Sequence, residues 1–274
     1  YIASNGYGKY SHLHYNRIGM ADWCFFPLYP LMMKIFSELF GLSVQISGLI
    51  INNVMLFFLP YLIVKYVNSR KYNLDSNIIL LFSVFSIFSL WYRIQYTECV
   101  YAIILMCSLY CFQNKKIYSL MFFTLILSFC RPTGFIVGII LSFFLMKEEG
   151  FKNIIRKKYD FLSYLLVSLV GFSAIGLYGL YLYHLMGDGL AFSHAQTAWG
   201  REFHIPLMVM WESLKRTHHM YLVISFFIDI FIILYGYKRK YFVESTILLA
   251  TFTISSSTSL MSIHRFIFGC PLTI

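Results

Sequence analysis

The sequence predicts an all-α fold, a polytopic helical membrane bundle with about eight or nine transmembrane helices, read as a single domain over residues 1–274. Three observations lead there. Of the 274 residues, 59% are hydrophobic and 12% charged, and the mean hydropathy is +0.68; a soluble domain carries about 25% charge. The apolar residues come in long runs rather than at amphipathic spacing, and one bilayer crossing needs about 20 of them. The apolar–polar alternation of outer-membrane strands is missing from these runs.

In chain order, residues 1–41 read as an outer loop with an interfacial segment, because Pro27 and Pro30 delay a regular helix until Leu31 and aromatic residues surround them. Crossings are expected at 43–67, 76–93, 96–112, 117–131, 133–146, 161–184, 220–237 and 243–263, with a ninth beginning near Phe266. Residues 184–219 form a second long outer loop. Both ends read as internal points of a longer chain.

The polar connections sort alternately into two sets. One is short, basic and otherwise plain: 65–75 (Lys65, Arg70, Lys71), 113–116 (Lys115, Lys116), 147–160 (Lys147, Lys152, Arg156, Lys157, Lys158) and 238–242 (Lys238, Arg239, Lys240). Lys and Arg concentrate in cytoplasmic loops, so this set is assigned to the cytoplasm. The net charge of +10 has the same origin and does not point to nucleic acid. The other set, 1–41, 92–98, 131–134, 184–219 and 263–266, holds all eight histidines: His12, His14, His184, His194, His204, His218, His219 and His264. Asp22, Glu98, Asp188, Glu202, Arg131, Arg201 and Arg265 fall there too. The six cysteines form no close metal-type pair, and Asn52-Asn53 and Ser255 to Ser259 read as interhelical packing. A divalent metal is left open, as no ligand spacing is diagnostic.

Asp22 opens Asp22-Trp23-Cys24-Phe25-Phe26-Pro27-Leu28-Tyr29-Pro30-Leu31 and reads either as a catalytic carboxylate or as a solvated loop acid. Glu98, in Tyr96-Thr97-Glu98, has capping of a helix N-terminus as its plain explanation and needs to face the interior to act. Arg131, in Arg131-Pro132-Thr133-Gly134, lies between two apolar runs. At that depth an arginine pairs with an anion, here a lipid headgroup, a substrate phosphate or Glu98, or it snorkels to the interface. His194, Gln196, Trp199 and Arg201 crowd one stretch with hydrogen-bonding and stacking groups, although Trp is also common at membrane interfaces. Asp229 is an isolated acid within a crossing.

Taken in order, Phe25 to Leu31, Tyr96-Thr97-Glu98, Arg131 to Gly134 and Gly187 to Arg201 resemble the bacterial relatives of the second mannosyltransferase of the GPI-anchor pathway, a family of type C membrane glycosyltransferases. The resemblance covers nearly the whole chain. It implies transfer of a hexose, mannose first, from a polyprenyl-phosphate donor to a lipid or glycan acceptor on the non-cytoplasmic side, with inversion. It implies a bacterial plasma membrane, or the ER membrane in a eukaryote. In such enzymes a loop Asp, shortly before an aromatic-rich segment like Tyr1 to Tyr7, is the base, which puts the principal base upstream of Tyr1 and leaves Asp22 as the second choice. On this reading Arg131, with Arg93 or Arg265, stabilises the departing phosphate, while His194, Gln196, Trp199 and Arg201 hold sugar or acceptor. A lipid or solute transporter and a non-catalytic membrane subunit are the rival classes; a transporter predicts inverted repeats and broken helices at the midplane.

Overall fold

The computed structural model describes residues 1–8, 21–72, 74–85, 89–150, 158–198, 201–215, 219–260, 263–268 and 270–273. Every regular element among them is helical: α1 (Leu28–Phe40), α2 (Val44–Ser69), α3 (Ser76–Phe85), α4 (Glu98–Gln113), α5 (Ile117–Cys130), α6 (Thr133–Glu149), α7 (Lys158–Met186), α8 (Ala191–Ala198), α9 (Pro206–Leu214), α10 (Met220–Lys238), α11 (Phe242–Ser256) and α12 (Ile263–Phe268). Short turns occupy Ile2–Asn5, Asp22–Cys24, Leu90–Arg93 and Pro271–Thr273.

Three helices are long and apolar enough to cross a membrane: α2, α7 over Tyr159–Met186, and α10. The 26 residues of α2 extend about 39 Å, against a hydrocarbon core of about 30 Å. Helices α3, α4, α5 and α11 are apolar but shorter. Phe57, Phe82, Phe122, Phe172 and Phe231 lie open on the outside of the bundle. Helices apolar on both the packed and the open face suit lipid rather than water.

Several boundaries differ from the sequence expectation. α1 begins at Leu28, not Leu31, because proline is tolerated in the first turn of a helix, where its missing N–H has no acceptor to lose. Within the run 76–93, α3 covers Ser76–Phe85 and Leu90–Arg93 is helical, while residues 86–88 lie outside the described residues. α11 stops at Ser256 rather than 263, and α12 covers the six residues Ile263–Phe268.

α4 sits at the centre. Cys99, Val100, Ala102, Leu105 and Leu109 are all buried, with α2 and α5 on either side of the helix. α7 packs across α5 and α6, and α10 with α11 forms a hairpin. Among the described residues, Arg70 of one set meets Gln113 and Glu244, whereas Glu98, Arg131 and Arg265 of the other set meet each other at the far end of α4. At the basic end Tyr66 and Tyr72 donate to Glu244 Oε1 at 2.5 and 3.0 Å, and Arg70 donates to Gln113 Oε1 at 2.9 Å while lying 3.5 Å from Glu244. These connections are therefore not plain, since one buried carboxylate ties α2, α4 and α11 together. Lys71, Lys115 and Lys240 all adopt left-handed φ, of 57°, 52° and 66°. In each case the following N–H returns to the carbonyl five residues back, giving three Schellman caps with lysine where glycine is usual.

At the other end Pro132 forces Arg131 into extended backbone, φ −154°, which stops α5 at Cys130. Gly134 serves close approach rather than a left-handed turn: a Cβ there would lie 2.5 Å from the Leu127 carbonyl oxygen. Gly176 in α7 has open space around it. Gly134→Ala is expected to destabilise the detergent-solubilised protein by about 1–3 kcal/mol. Gly176→Ala is expected to leave the melting temperature unchanged or raise it, Ala being favoured over Gly in a helix by up to about 1 kcal/mol. Circular-dichroism melts compare the two, and equal melting points contradict the close approach.

Candidate functional site

The site is built around Glu98, the first residue of α4. Its side chain is 1% exposed, so it faces the interior. Arg131 Nη2 lies 2.6 Å and Arg265 Nε 2.8 Å from the same carboxylate oxygen, Oε1. The arginines come from the α5–α6 connection and from α12, so three distant segments meet at one atom. Both are close ion-pair contacts, and Glu98 Oε1 has no partner of hydrogen-bond geometry among the described residues, so the attraction is that of opposite charges. Of the alternatives open for Arg131 in the sequence, the acidic partner present is Glu98, and the Arg131 side chain is 13% exposed.

Capping does not account for the local residues. Thr97 stands at the N-cap of α4 without a side-chain cap bond. Its Oγ1 instead accepts from Arg131 Nε at 2.8 Å and Nη2 at 2.7 Å. The strand of chain before it is fixed by Asn52 on α2, whose Nδ2 donates to the carbonyls of Ile94 and, at 3.0 Å, Tyr96. Aromatic faces complete the frame: Tyr101 lies under the Arg131 guanidinium at 5.2 Å, and Tyr96 under that of Arg265 at 5.0 Å. Tyr92 is buried beside them, its hydroxyl without a hydrogen-bond partner among the described residues.

A second group covers this end. The turn Asp22–Cys24 packs on α8 over a small apolar cluster of Phe26, Tyr178, Leu182 and Ala191. Tyr178 on α7 donates to Trp23 O at 2.7 Å, Tyr7 to Phe25 O at 2.6 Å, and Trp23 Nε1 to Gly8 O at 2.8 Å. Asp22 is 2% exposed, not a solvated loop acid, and interacts electrostatically with Tyr7 and Tyr178. A cavity of about 320 Å³, lined by Tyr7, Pro27, Pro30, Lys34, Tyr178 and Tyr181, opens beside it.

Arg201 connects the two groups. It donates to Gln196 Oε1 on α8 at 3.4 Å. Burial first and repulsion from Arg265 second hold its guanidinium below the ordinary arginine value, so it lies within electrostatic range of the triad. His194, also on α8, is exposed and contacts Asp188 Oδ2 through Nδ1 at 2.7 Å. That bond, and one from the Leu190 N–H, hold the Asp188 carboxyl below its ordinary value.

The sequence-predicted residues thus divide. Glu98, Arg131 and Arg265 form one cluster, with Arg201 and Gln196 adjoining it; Asp22 and His194 belong to the covering group. Arg93 stands apart, exposed and donating to Val84 O at 2.5 Å. Trp199, His12, His14 and His218 lie outside the described residues. Sequence reasoning passed over Tyr92 and Tyr101, which look like any aromatic in an apolar run, and gave Asp188 no role. The Asp188-Gly189-Leu190 order was a readable signal, since Asp commonly binds the N–H two residues on. Among the described residues no three His, Cys, Asp or Glu side chains are grouped to hold a metal ion.

Compared with known proteins, the chain matches no family model, no curated protein and no solved structure.

Breaking a buried pair by removing one partner costs about 3–5 kcal/mol, because the other charge is left uncompensated. Glu98→Gln is therefore expected to lose that much stability in denaturant unfolding. Adding Arg265→Gln to it should restore part of the loss by removing the repulsion between the two arginines. A Glu98→Gln protein as stable as wild type contradicts the triad.

Proposed function

We propose that the chain is a polytopic membrane glycosyltransferase of the type C class, seated in a bacterial plasma membrane, that moves a hexose from a polyprenyl-phosphate donor to a lipid or glycan acceptor. The crossings are α2 to α7, α10 and α11, with the Glu98 end on the non-cytoplasmic side. One observation carries the reading: two guanidiniums converge on a single buried carboxylate oxygen at the end of the bundle where the polar loops gather. The triad carries one formal positive charge in excess, and guanidinium geometry suits phosphate oxygens.

On this reading Arg131 and Arg265 bind the donor phosphate and stabilise the charge it gains as the sugar departs. Glu98 is a positioning residue, since its buried oxygen aims both arginines. The apolar cavity beside Tyr7 and Tyr178 suits a stretch of isoprenoid chain, with Lys34 at its wall. Mannose is taken from the likeness of Phe25 to Leu31, Tyr96 to Glu98, Arg131 to Gly134 and Gly187 to Arg201 to the bacterial relatives of the second GPI-pathway mannosyltransferase. A proton-coupled transporter is the second reading, favoured by Asp229, which is buried in α10 with no hydrogen-bond partner among the described residues.

The intact protein in proteoliposomes, given polyprenyl-phosphate mannose and membrane acceptors, should transfer the sugar. Arg131→Ala should lower kcat/KM by about 10²–10³-fold, the usual loss for one transition-state donor. Wild-type protein without transfer, or Arg131→Ala equal to wild type, overturns the proposal. Substrate-driven proton flux that disappears in Asp229→Asn would decide for the transporter.

A further inference from the structure

The basic end of the bundle holds two ammonium groups on one tyrosine ring. Lys65 Nζ lies 4.6 Å and Lys116 Nζ 5.9 Å from the centre of the Tyr110 ring, and Lys65 Nζ is 5.7 Å from that of Tyr61. An aromatic face attracts and orders a cation, but it carries no net charge to offset two of them. Among the described residues neither lysine is in an ion pair. Two acids of this end are engaged elsewhere: Glu149 pairs with Lys115 at 2.7 Å, and Glu244 takes Tyr66, Tyr72 and Arg70.

All three residues stand at helix ends, the depth of lipid headgroups. Lys65 is in the last turns of α2, which ends at Ser69; Tyr110 is in the last turn of α4, which ends at Gln113; and Lys116 is the N-cap of α5. α2 packs along α4, and Arg70 ties their ends through its 2.9 Å bond to Gln113. Lys116 opposes the dipole of α5, because a cation at a helix N-terminus is disfavoured and the first turn holds no acid. Tyr61 and Tyr118 are open to the outside of the bundle, as tyrosines are at a membrane interface. Paired cations without a counter-charge, among interfacial tyrosines and between two membrane helices, have the chemistry that takes a lipid phosphate.

We propose that Lys65 and Lys116, ordered by the Tyr110 ring, bind the phosphate of an anionic phospholipid. The site lies at the opposite end of α4 from Glu98 and stands apart from the glycosyltransferase reading, needing only that the chain spans a membrane. The lipid phosphate supplies the negative charge that the two ammoniums lack. Its acyl chains follow the apolar outside of α2, where Phe57, Phe58 and Tyr61 are open. Lys115 has its own carboxylate in Glu149 and takes no part.

The test is titration of the intact, detergent-solubilised protein with dioleoyl phosphatidylglycerol, dioleoyl phosphatidylcholine and inorganic phosphate, read by native mass spectrometry. Wild type should bind phosphatidylglycerol in preference to phosphatidylcholine, and excess inorganic phosphate should not displace it. Lys65→Gln and Lys116→Gln should each weaken phosphatidylglycerol binding about fivefold, and together about 25-fold, the ordinary worth of one and two basic residues at an anionic membrane. Lys238→Gln removes an exposed lysine of the same end and should bind like wild type. Each variant is checked for an unchanged melting temperature, and the single variants stand in if the double one misfolds. Equal binding of the two lipids by wild type, or a preference that survives both substitutions, overturns the site. An equal loss in Lys238→Gln also overturns it, because total charge rather than this pair then holds the lipid. Displacement by inorganic phosphate would assign the pair to free phosphate and overturn the lipid.

Discussion

A carboxylate buried in an apolar bundle is costly unless its charge is matched, and Glu98 meets that condition with two arginines from distant segments. Each of those segments must then be held to about an ångström. Pro132 ends α5 and extends the backbone at Arg131, Gly134 lets α6 start against the last turn of α5, and Asn52 pins the chain entering α4. The placement of α12 beside α10 and α11 brings Arg265 to the same oxygen. The packing at this end follows from satisfying one charge.

The opposite end solves the same problem with neutral partners. Glu244 takes two tyrosine hydroxyls and a more distant arginine. A carboxylate satisfied largely by neutral donors, with one arginine nearby, is a structural tie. A carboxylate shared between two guanidiniums leaves one positive charge in excess, the feature on which the proposed phosphate binding rests. The group of Asp22–Cys24, α8 and Tyr178 adds an apolar cavity lined by Tyr7, Tyr178 and Tyr181.

Much of this was legible in the sequence, for reasons that also explain what was not. Uninterrupted apolar runs located α2, α4, α5, α6, α7 and α10 to within a few residues, since hydrophobic length dominates a membrane segment. The alternation of basic and polar connections separated the two ends correctly. Arg131 and Glu98 could be named as partners because both fell in outer connections. Burial of Asp22 was not legible, because Tyr178 bonds the chain beside it from 155 residues away. The Glu244 tie spans 178 residues to Tyr66, and nothing local announces it. Three Schellman caps were invisible because lysine occupies the position where glycine would have signalled them. Arg93 and Arg265 looked equivalent, but Arg93 is exposed and donates to the Val84 carbonyl while Arg265 reaches Glu98.

The central claim is that the paired arginines form a receptor for a lipid-borne phosphate. Native mass spectrometry of the intact protein, released from detergent with equimolar polyprenyl phosphate and neutral polyprenol of the same chain length, tests it most directly. The account predicts retention of the phosphate lipid by wild type, little retention of the alcohol, and loss of the difference in Arg131→Ala with Arg265→Ala. Equal retention of both lipids by wild type, or a phosphate preference that survives the double substitution, would contradict it.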